Sequence, residues 1–317
     1  MKKTLVEIID ECDDFLRPDT DPENYQRVVN THYYHFRVHP YPVTLGYVLP
    51  GVAEAFAEFP AWELDREANP RTLTLWYGRN EVSRTHIVRE TIEKMHQRKT
   101  FGILHKLRGE LKPIYGPGGE LICSIERAAF PLLGIVAYGV HLIAYTTTTT
   151  TTTGDSKAVD KIWVSKRGKG ANGYHGRASE EAGLPKELVD GAQLCSAVSY
   201  FHIRKPEQGP DPGLLHPGVQ FVYELVVNKD FMPTADGKEV ESFQQLGCKE
   251  LLQQIIEGKV KPFFTLVLID FLLRHGAIDE KEEKNMVEIS MRLHRRLEFP
   301  VSSILVSEEE EYHHWKM

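Results

Sequence analysis

The stretch "GRASEEAGLP", residues 176–185, sets Glu180 and Glu181 side by side ahead of a Gly-Leu-Pro sequence. Glycine accepts the left-handed conformation at a helix C-terminus, and proline cannot continue the backbone ladder, so this order ends a helix. The sequence therefore predicts a helix that carries both glutamates and stops at Gly183. Arg177 lies three and four residues before the two carboxylates, which puts all three side chains on one helical face. Clustered carboxylates suit a hard cation such as magnesium, whose remaining oxygen ligands come from water or from the phosphates of a bound diphosphate. Spacing alone fits an acidic, solvated helix end equally well.

The surrounding composition is that of a globular protein. Of 317 residues, 41% are apolar and 26% charged, enough for a sizeable core and, by length, for two domains. The net charge of −7 disfavours nonspecific contact with nucleic acid or anionic membranes, so a phosphate-bearing ligand needs a local basic patch or a cation. Cys12, Cys123, Cys195 and Cys248 are far apart and form no C-x-x-C pair, which points to a reducing compartment and away from disulfides or structural zinc. The first residues turn acidic too early for a secretory or transit peptide. The longest apolar runs, 130–145 and 263–273, are interrupted by His141 and Asp270 and read as core elements, not membrane spans. A cytoplasmic protein is the expectation.

Along the chain, helical spacing appears at 5–16, with strand, turn and helix over 41–56 and an alternating strand at 71–78. A helix at 83–97 takes Ser83 as its N-cap. A strand pair joined by Pro-Gly-Gly covers 111–130. From there the pattern becomes short β-rich runs at 139–145, 161–167, 194–203 and 219–227, followed by helices near 248–257, 262–275 and 281–296. The change places a domain boundary near residue 130. Eight threonines at 146–153 read as a low-complexity hairpin insertion, because threonine tolerates extended backbone. The acidic tail after Pro300 reads as a solvated end.

Lys166 and Arg167 close a predicted strand leading toward the acidic stretch, where they can meet a diphosphate through charge-assisted hydrogen bonds. Tyr200, Phe201, Phe221 and Tyr223 alternate on strands, as either core residues or the lining of a pocket for an aromatic heterocycle. The sequence contains no G-x-x-x-x-G-K-[ST] phosphate loop.

Residues 176–184 resemble the end of the Nudix hydrolase box, G-x5-E-x7-R-E-U-x-E-E-x-G-U with U aliphatic, and match it at Ala178, Glu180, Glu181 and Gly183. The flanks are similar to the branch of Nudix hydrolases related to thiamine pyrophosphokinase. In the first half the similarity rests on "LVEIIDECDDF", "LGYVLP", "RGELKPIYG" and "SIERAAFPLLGIVAYGVHL". In the second it rests on "KIWVSKR", "VSYFHIR", "GLLHPGVQFVYEL", "KPFFTLVLIDFLLRHG" and "ISMRLHRRLEFP". The resemblance implies an α+β fold: an N-terminal mixed α/β accessory domain (1–130), a Nudix-type αβα sandwich with a damaged catalytic insert (131–300) and an acidic tail (301–317). It implies magnesium- or manganese-dependent hydrolysis of a small-molecule diphosphate, either a thiamine diphosphate derivative or an oxidised nucleoside diphosphate.

The same resemblance makes Glu180, Glu181 and Glu239 the metal ligands. It makes Glu180, Glu181 and Glu241 the catalytic carboxylates, Glu239 and Glu241 coming from "DGKEVESF" (236–243), and it leaves Lys166, Arg167, Tyr200 and Phe221 to bind substrate. The box is incomplete. Gly176 and Arg177 stand where the family has Arg-Glu, and fifteen residues separate Val164 from Glu180 where the family has a longer segment. An arginine among the carboxylates weakens metal binding, so the implied enzyme is impaired. The alternatives are a non-catalytic Nudix-fold binding protein and, less favoured, a thiamine pyrophosphokinase. The oligomeric state is open.

Overall fold

The structure, a computed structural model, describes residues 3–149, 157–167, 186–235, 240–281 and 283–302. In chain order its helices are α1 (Leu5–Cys12), α2 (Pro22–His32), α3 (Pro50–Ala57), α4 (Glu81–Arg98), α5 (Lys186–Val189), α6 (Cys248–Ile256), α7 (Pro262–Arg274) and α8 (Met286–Leu293). The strands are β1 (Tyr34–Val38), β2 (Tyr41–Val48), β3 (Trp62–Asp65), β4 (Thr72–Leu75), β5 (Leu111–Tyr115), β6 (Leu121–Glu126), β7 (Ala137–Thr149), β8 (Lys157–Arg167), β9 (Gln193–Ile203), β10 (Leu215–Val226) and β11 (Val240–Leu246). Helices and mixed sheets together make the fold α+β.

Two compact units form, and the chain passes between them more than once. One comprises residues 1–12, 138–200 and 219–295; the other comprises 13–137, 201–218 and 296–317. A single cut near residue 130 was the expectation from pattern alone.

In the second of these units, β2, β1, β4 and β3 form a four-stranded sheet in that order. Its core holds Phe36, Phe56, Leu73, Leu75, Ile92 and Met95, all essentially closed to solvent. Trp62 reaches into this core and donates from Nε1 to Thr91 Oγ1 at 3.1 Å, which satisfies its one polar atom. Two glycines interlock nearby. Gly46 bridges to Ile135, and a side chain at Gly46 would meet Leu133 O at 2.2 Å; Gly134, at φ +57°, approaches Tyr47 O so closely that a Cβ would sit at 2.1 Å.

The helix expected from 83 begins at Glu81. Asn80 is its N-cap and accepts from Ser83 N–H at 2.9 Å, while the Asn80 N–H donates to Ser83 Oγ at 3.1 Å. Ser83 is thus the far half of a capping box, three residues into the helix, and not the cap itself.

The first unit is built on a five-stranded sheet ordered β11-β8-β7-β10-β9. Strands β7 and β8 are antiparallel, with Thr147 opposite Val159 and Thr149 opposite Lys157, so the start of the threonine run extends a hairpin arm. Alternation along the strands places Ile143, Tyr145, Ile162, Val164, Val222 and Tyr200 in one core with α1, α6, α7 and α8. Helix α7 opens with Pro262 at its first turn and buries Phe263, Thr265 and all of Leu266–Leu272. Such burial all round explains why its sequence is apolar, but for Thr265, up to Asp270. Among the described residues, no helix is long and apolar enough to cross a membrane, and all four cysteines are free.

Candidate functional site

Strand β8 ends at Arg167, and β11 begins beside it. The ladder pairs Val240 with Arg167 and Ser242 with Lys166, and the register shifts between Val240 and Ser242. Glu241 is the extra residue at this irregularity. A β-bulge of this kind inserts one residue on one strand and re-aims a side chain, a device frequent beside functional sites. It brings an exposed acidic residue into register with two basic ones. From Val240 onward this stretch is an edge strand, and Glu241 sits at a position fixed by backbone pairing.

The antiparallel pairing of Tyr145 with Ile162 puts the beginning of β7 at the same end of the sheet as Arg167. Tyr138, near that beginning, lies with its ring nearly parallel to the ring of Phe221 on the neighbouring strand β10, 6.3 Å between centroids and 11° between planes. Both rings are half-buried. Four of the expected site residues, Lys166, Arg167, Glu241 and Phe221, therefore gather at one end of one sheet.

Tyr200 is placed elsewhere. It is 2% exposed, stacks on Phe263 at 4.3 Å, and its hydroxyl accepts from Gln220 Nε2 at 3.1 Å. Gln220 and Phe221 are neighbours on β10 and point to opposite sides of the sheet, so Tyr200 shares the helix-packed side and Phe221 does not. Phe201 is also fully enclosed, stacked on Phe15 at 4.1 Å; Tyr223 is half-buried. Glu180, Glu181 and Glu239 lie outside the described residues, as does the helix expected to end at Gly183. Among the described residues, no group of three His, Cys, Asp or Glu side chains is arranged to hold a metal ion.

A polar cluster sits in the same unit. Arg274 donates from Nε to Asp270 Oδ2 at 2.9 Å and from Nη1 to Glu224 Oε1. His275 Nε2 meets the other Glu224 oxygen at 2.8 Å, and Ser196 Oγ donates to Asp270 Oδ1 at 3.2 Å. Asp270 and Glu224 are 1% and 7% exposed, so both carboxylates depend on these partners. Burial and the neighbouring Glu224 carboxylate push the Tyr145 phenol up to about 12. Sequence reasoning did not find this cluster; its one visible trace was Asp270 interrupting an apolar run, with Arg274 one turn later. Trp163 was also missed. Its Nε1 is buried without a hydrogen-bond partner, and Phe231 packs edge-on to it at 6.3 Å.

No family model matches the chain. It is 32% identical over 203 residues to an uncharacterised protein of Saccharomyces cerevisiae, a match covering 56% of this chain and 58% of that protein. It is 29% identical over 259 residues to the chloroplastic Nudix hydrolase 20 of Arabidopsis thaliana, covering 73% of this chain and 63% of that one. With the chloroplastic Nudix hydrolase 24 of the same plant it shares 26% identity over 274 residues, covering 78% and 70%. The matched stretch is thus about six-tenths of the length of the first two relatives. Similarity to two Nudix hydrolases across most of the chain, on an α+β fold, relates this protein to the Nudix hydrolases.

Proposed function

We propose that the chain is a Nudix-type hydrolase of diphosphate linkages, magnesium- or manganese-dependent and impaired by its shortened box. The observation that carries this is the insertion of Glu241 at the bulge opposite Lys166 and Arg167, at the strand end from which the chain runs on toward Glu180 and Glu181. Lys166 and Arg167 hold the diphosphate through charge-assisted bonds. Glu241 takes the proton from the attacking water. A divalent ion held by Glu180, Glu181 and Glu239 supplies charge neutralisation at the phosphates. The substrates are thiamine diphosphate derivatives or oxidised nucleoside diphosphates.

The test is monophosphate release from thiamine diphosphate and from an oxidised nucleoside diphosphate, followed by phosphorus NMR with magnesium. The expected result is slow turnover, lost on adding EDTA and reduced about 100-fold in Glu241→Gln, as for removal of one well-placed catalytic group. Turnover indifferent to both EDTA and Glu241→Gln would sink the proposal. A second reading, a binding protein without turnover, is favoured by Arg177 standing where the box has glutamate. It predicts saturable binding of the same compounds and no release.

A further inference from the structure

We infer that Arg37, in the middle of the four-stranded sheet, anchors a binding site for a small oxyanion, a phosphate or a carboxylate. The site shares no residue with the diphosphate reading above and does not rest on it.

Strand β1 has a neighbour on each side, β2 and β4, so its side chains leave by the two faces of the sheet. Phe36 and Val38 are fully buried in the core on one face. His35 and Arg37 alternate with them and stand on the other. Thr74 is the residue beside Arg37 on β4. On the β2 side the ladder is irregular: Phe36 faces Gly46 and Val38 faces Tyr41, so two steps along β1 answer five along β2. The extra β2 residues fall opposite Arg37, and Oγ1 of one of them, Thr44, lies 2.9 Å from His35 Nδ1. Such irregularities are frequent beside binding sites. One row farther along the same face, Trp76 packs on His39 at 4.4 Å and is 47% exposed, so solvent reaches this part of the sheet.

Arg37 is half-buried and has no counter-charge. Its Nε is sealed from solvent without a partner, and among the described residues the guanidinium makes no hydrogen bond or ion pair. Glu63 stands on this face only beyond Thr74, on β3. Other arginines of the same compact unit are compensated. Arg66, Arg98 and Arg127 each hold a carboxylate. Arg71 and Arg84 donate to backbone carbonyls and lie over the Tyr34 and Tyr41 rings. Arg37 has neither kind of support. A charged donor closed off from water without an acceptor is costly, and the guanidinium fork matches two oxygens of a phosphate or carboxylate. His35 adds no second charge: burial, and after it the Arg37 charge, hold its imidazole neutral against the pull of the Val29 carbonyl.

The experiment is calorimetric titration of the full chain, in EDTA, with inorganic phosphate and separately with acetate. The parent should bind one equivalent of at least one of them with a Kd of about 1 mM. Phosphate alone assigns the site to a phosphoryl group, acetate alone to a carboxylate, and both to either. Arg37→Met, which keeps the apolar stem and removes the charge, should weaken that binding at least about tenfold. Arg37→Lys, a point charge without the fork, should weaken it about threefold. Arg66→Met, at an exposed pair with Glu54, should bind as the parent does. In urea unfolding without anion, Arg37→Met should be no less stable than the parent, and it should lose the stabilisation that the anion gives the parent. Binding of neither anion below about 10 mM overturns the site. So does unchanged affinity in Arg37→Met, or an equal loss in Arg37→Met and Arg66→Met. Should Arg37→Met fail to fold, unchanged affinity in Arg37→Lys overturns it instead.

Discussion

Arg274 reaches across from α7 to Glu224 on β10, so that one guanidinium serves two buried carboxylates, Glu224 and Asp270. Removing it takes the guanidinium from both, leaving Glu224 to His275 and Asp270 to Ser196 and His294. Taking away one partner of a buried ion pair leaves uncompensated charge, at a typical cost of 3–5 kcal/mol. With the Arg274 side chain 28% exposed, the lower end applies. Arg274→Met should lower stability by about 3 kcal/mol in urea unfolding monitored by circular dichroism. A loss below about 1 kcal/mol, the range of a surface pair, would show that the network is solvated in solution.

The interlocked glycines make a second prediction. Gly134→Ala places a methyl group against the Tyr47 carbonyl at a positive φ, which combines a clash with backbone strain. The expected loss is about 3 kcal/mol, above the usual cost of overpacking a core by one carbon. Gly51→Ala, where a Cβ meets nothing within 4 Å, is the matching control in helix α3 and should be neutral or slightly stabilising by its helix propensity. Equal effects of the two substitutions would refute the close approach.

Stability should also fall with acid in a defined window. Burial holds the His35 imidazole down to about 4 from an ordinary 6.5, and burial, followed by the positive potential of His202 and Arg204, holds His216 down to about 3. The unfolded chain therefore takes up protons first. The contribution of these neutral histidines is complete above pH 6.5 and is lost as pH falls toward 4, at about 1.4 kcal/mol for each unit of displacement. Urea midpoints measured between about pH 7.5 and about pH 4.5 should decline below pH 6.5, and less steeply in His35→Gln, which keeps a polar group near Thr44. Identical slopes in the two proteins would contradict the assignment to His35.

Much of this fold was legible because its strands and helices bury one face with regular spacing. Strands β7 to β10 and helices α6 to α8 all announced themselves in this way. What escaped detection lacks that contrast. Strand β11 buries only Val240 and Leu246 and exposes Glu241, Ser242, Gln244 and Gln245, as an edge strand of the sheet does, so its sequence reads as a polar loop. Helix α2 buries only Tyr25 and Val29, too little apolar surface to mark a face. At the candidate site, alternation showed that Tyr200 and Phe221 belong to strands. Which side of the sheet the helices cover is decided by residues far along the chain, so the sequence could not separate the enclosed tyrosine from the half-buried phenylalanine. The pairing of Glu224 with Arg274 was hidden for the same reason: they are 50 positions apart.

Metal affinity follows from the carboxylates that the chain retains. With Arg177 three and four residues before Glu180 and Glu181 in the sequence, the chain should bind magnesium weakly, giving no saturable heat at micromolar metal. Arg177→Ala should strengthen binding by removing a competing positive charge. Micromolar affinity in the unmodified chain, abolished by Glu181→Gln, would show that two glutamates suffice.

If the proposed Nudix chemistry is limited by the short segment between Val164 and Glu180, a three-way comparison of turnover reveals it. Magnesium-dependent monophosphate release is measured for the unmodified chain, for Arg177→Glu, and for a chain in which the residues between Val164 and Glu180 are replaced by the corresponding segment of the Arabidopsis Nudix hydrolase 24. Restoring a ligand without the backbone that positions it should gain little, since catalytic groups act as a unit. The graft should gain at least about 100-fold, the scale of one recovered catalytic group. If the unmodified chain already turns over as fast as the graft, the absent residues are not needed, and the chemistry lies elsewhere in the molecule.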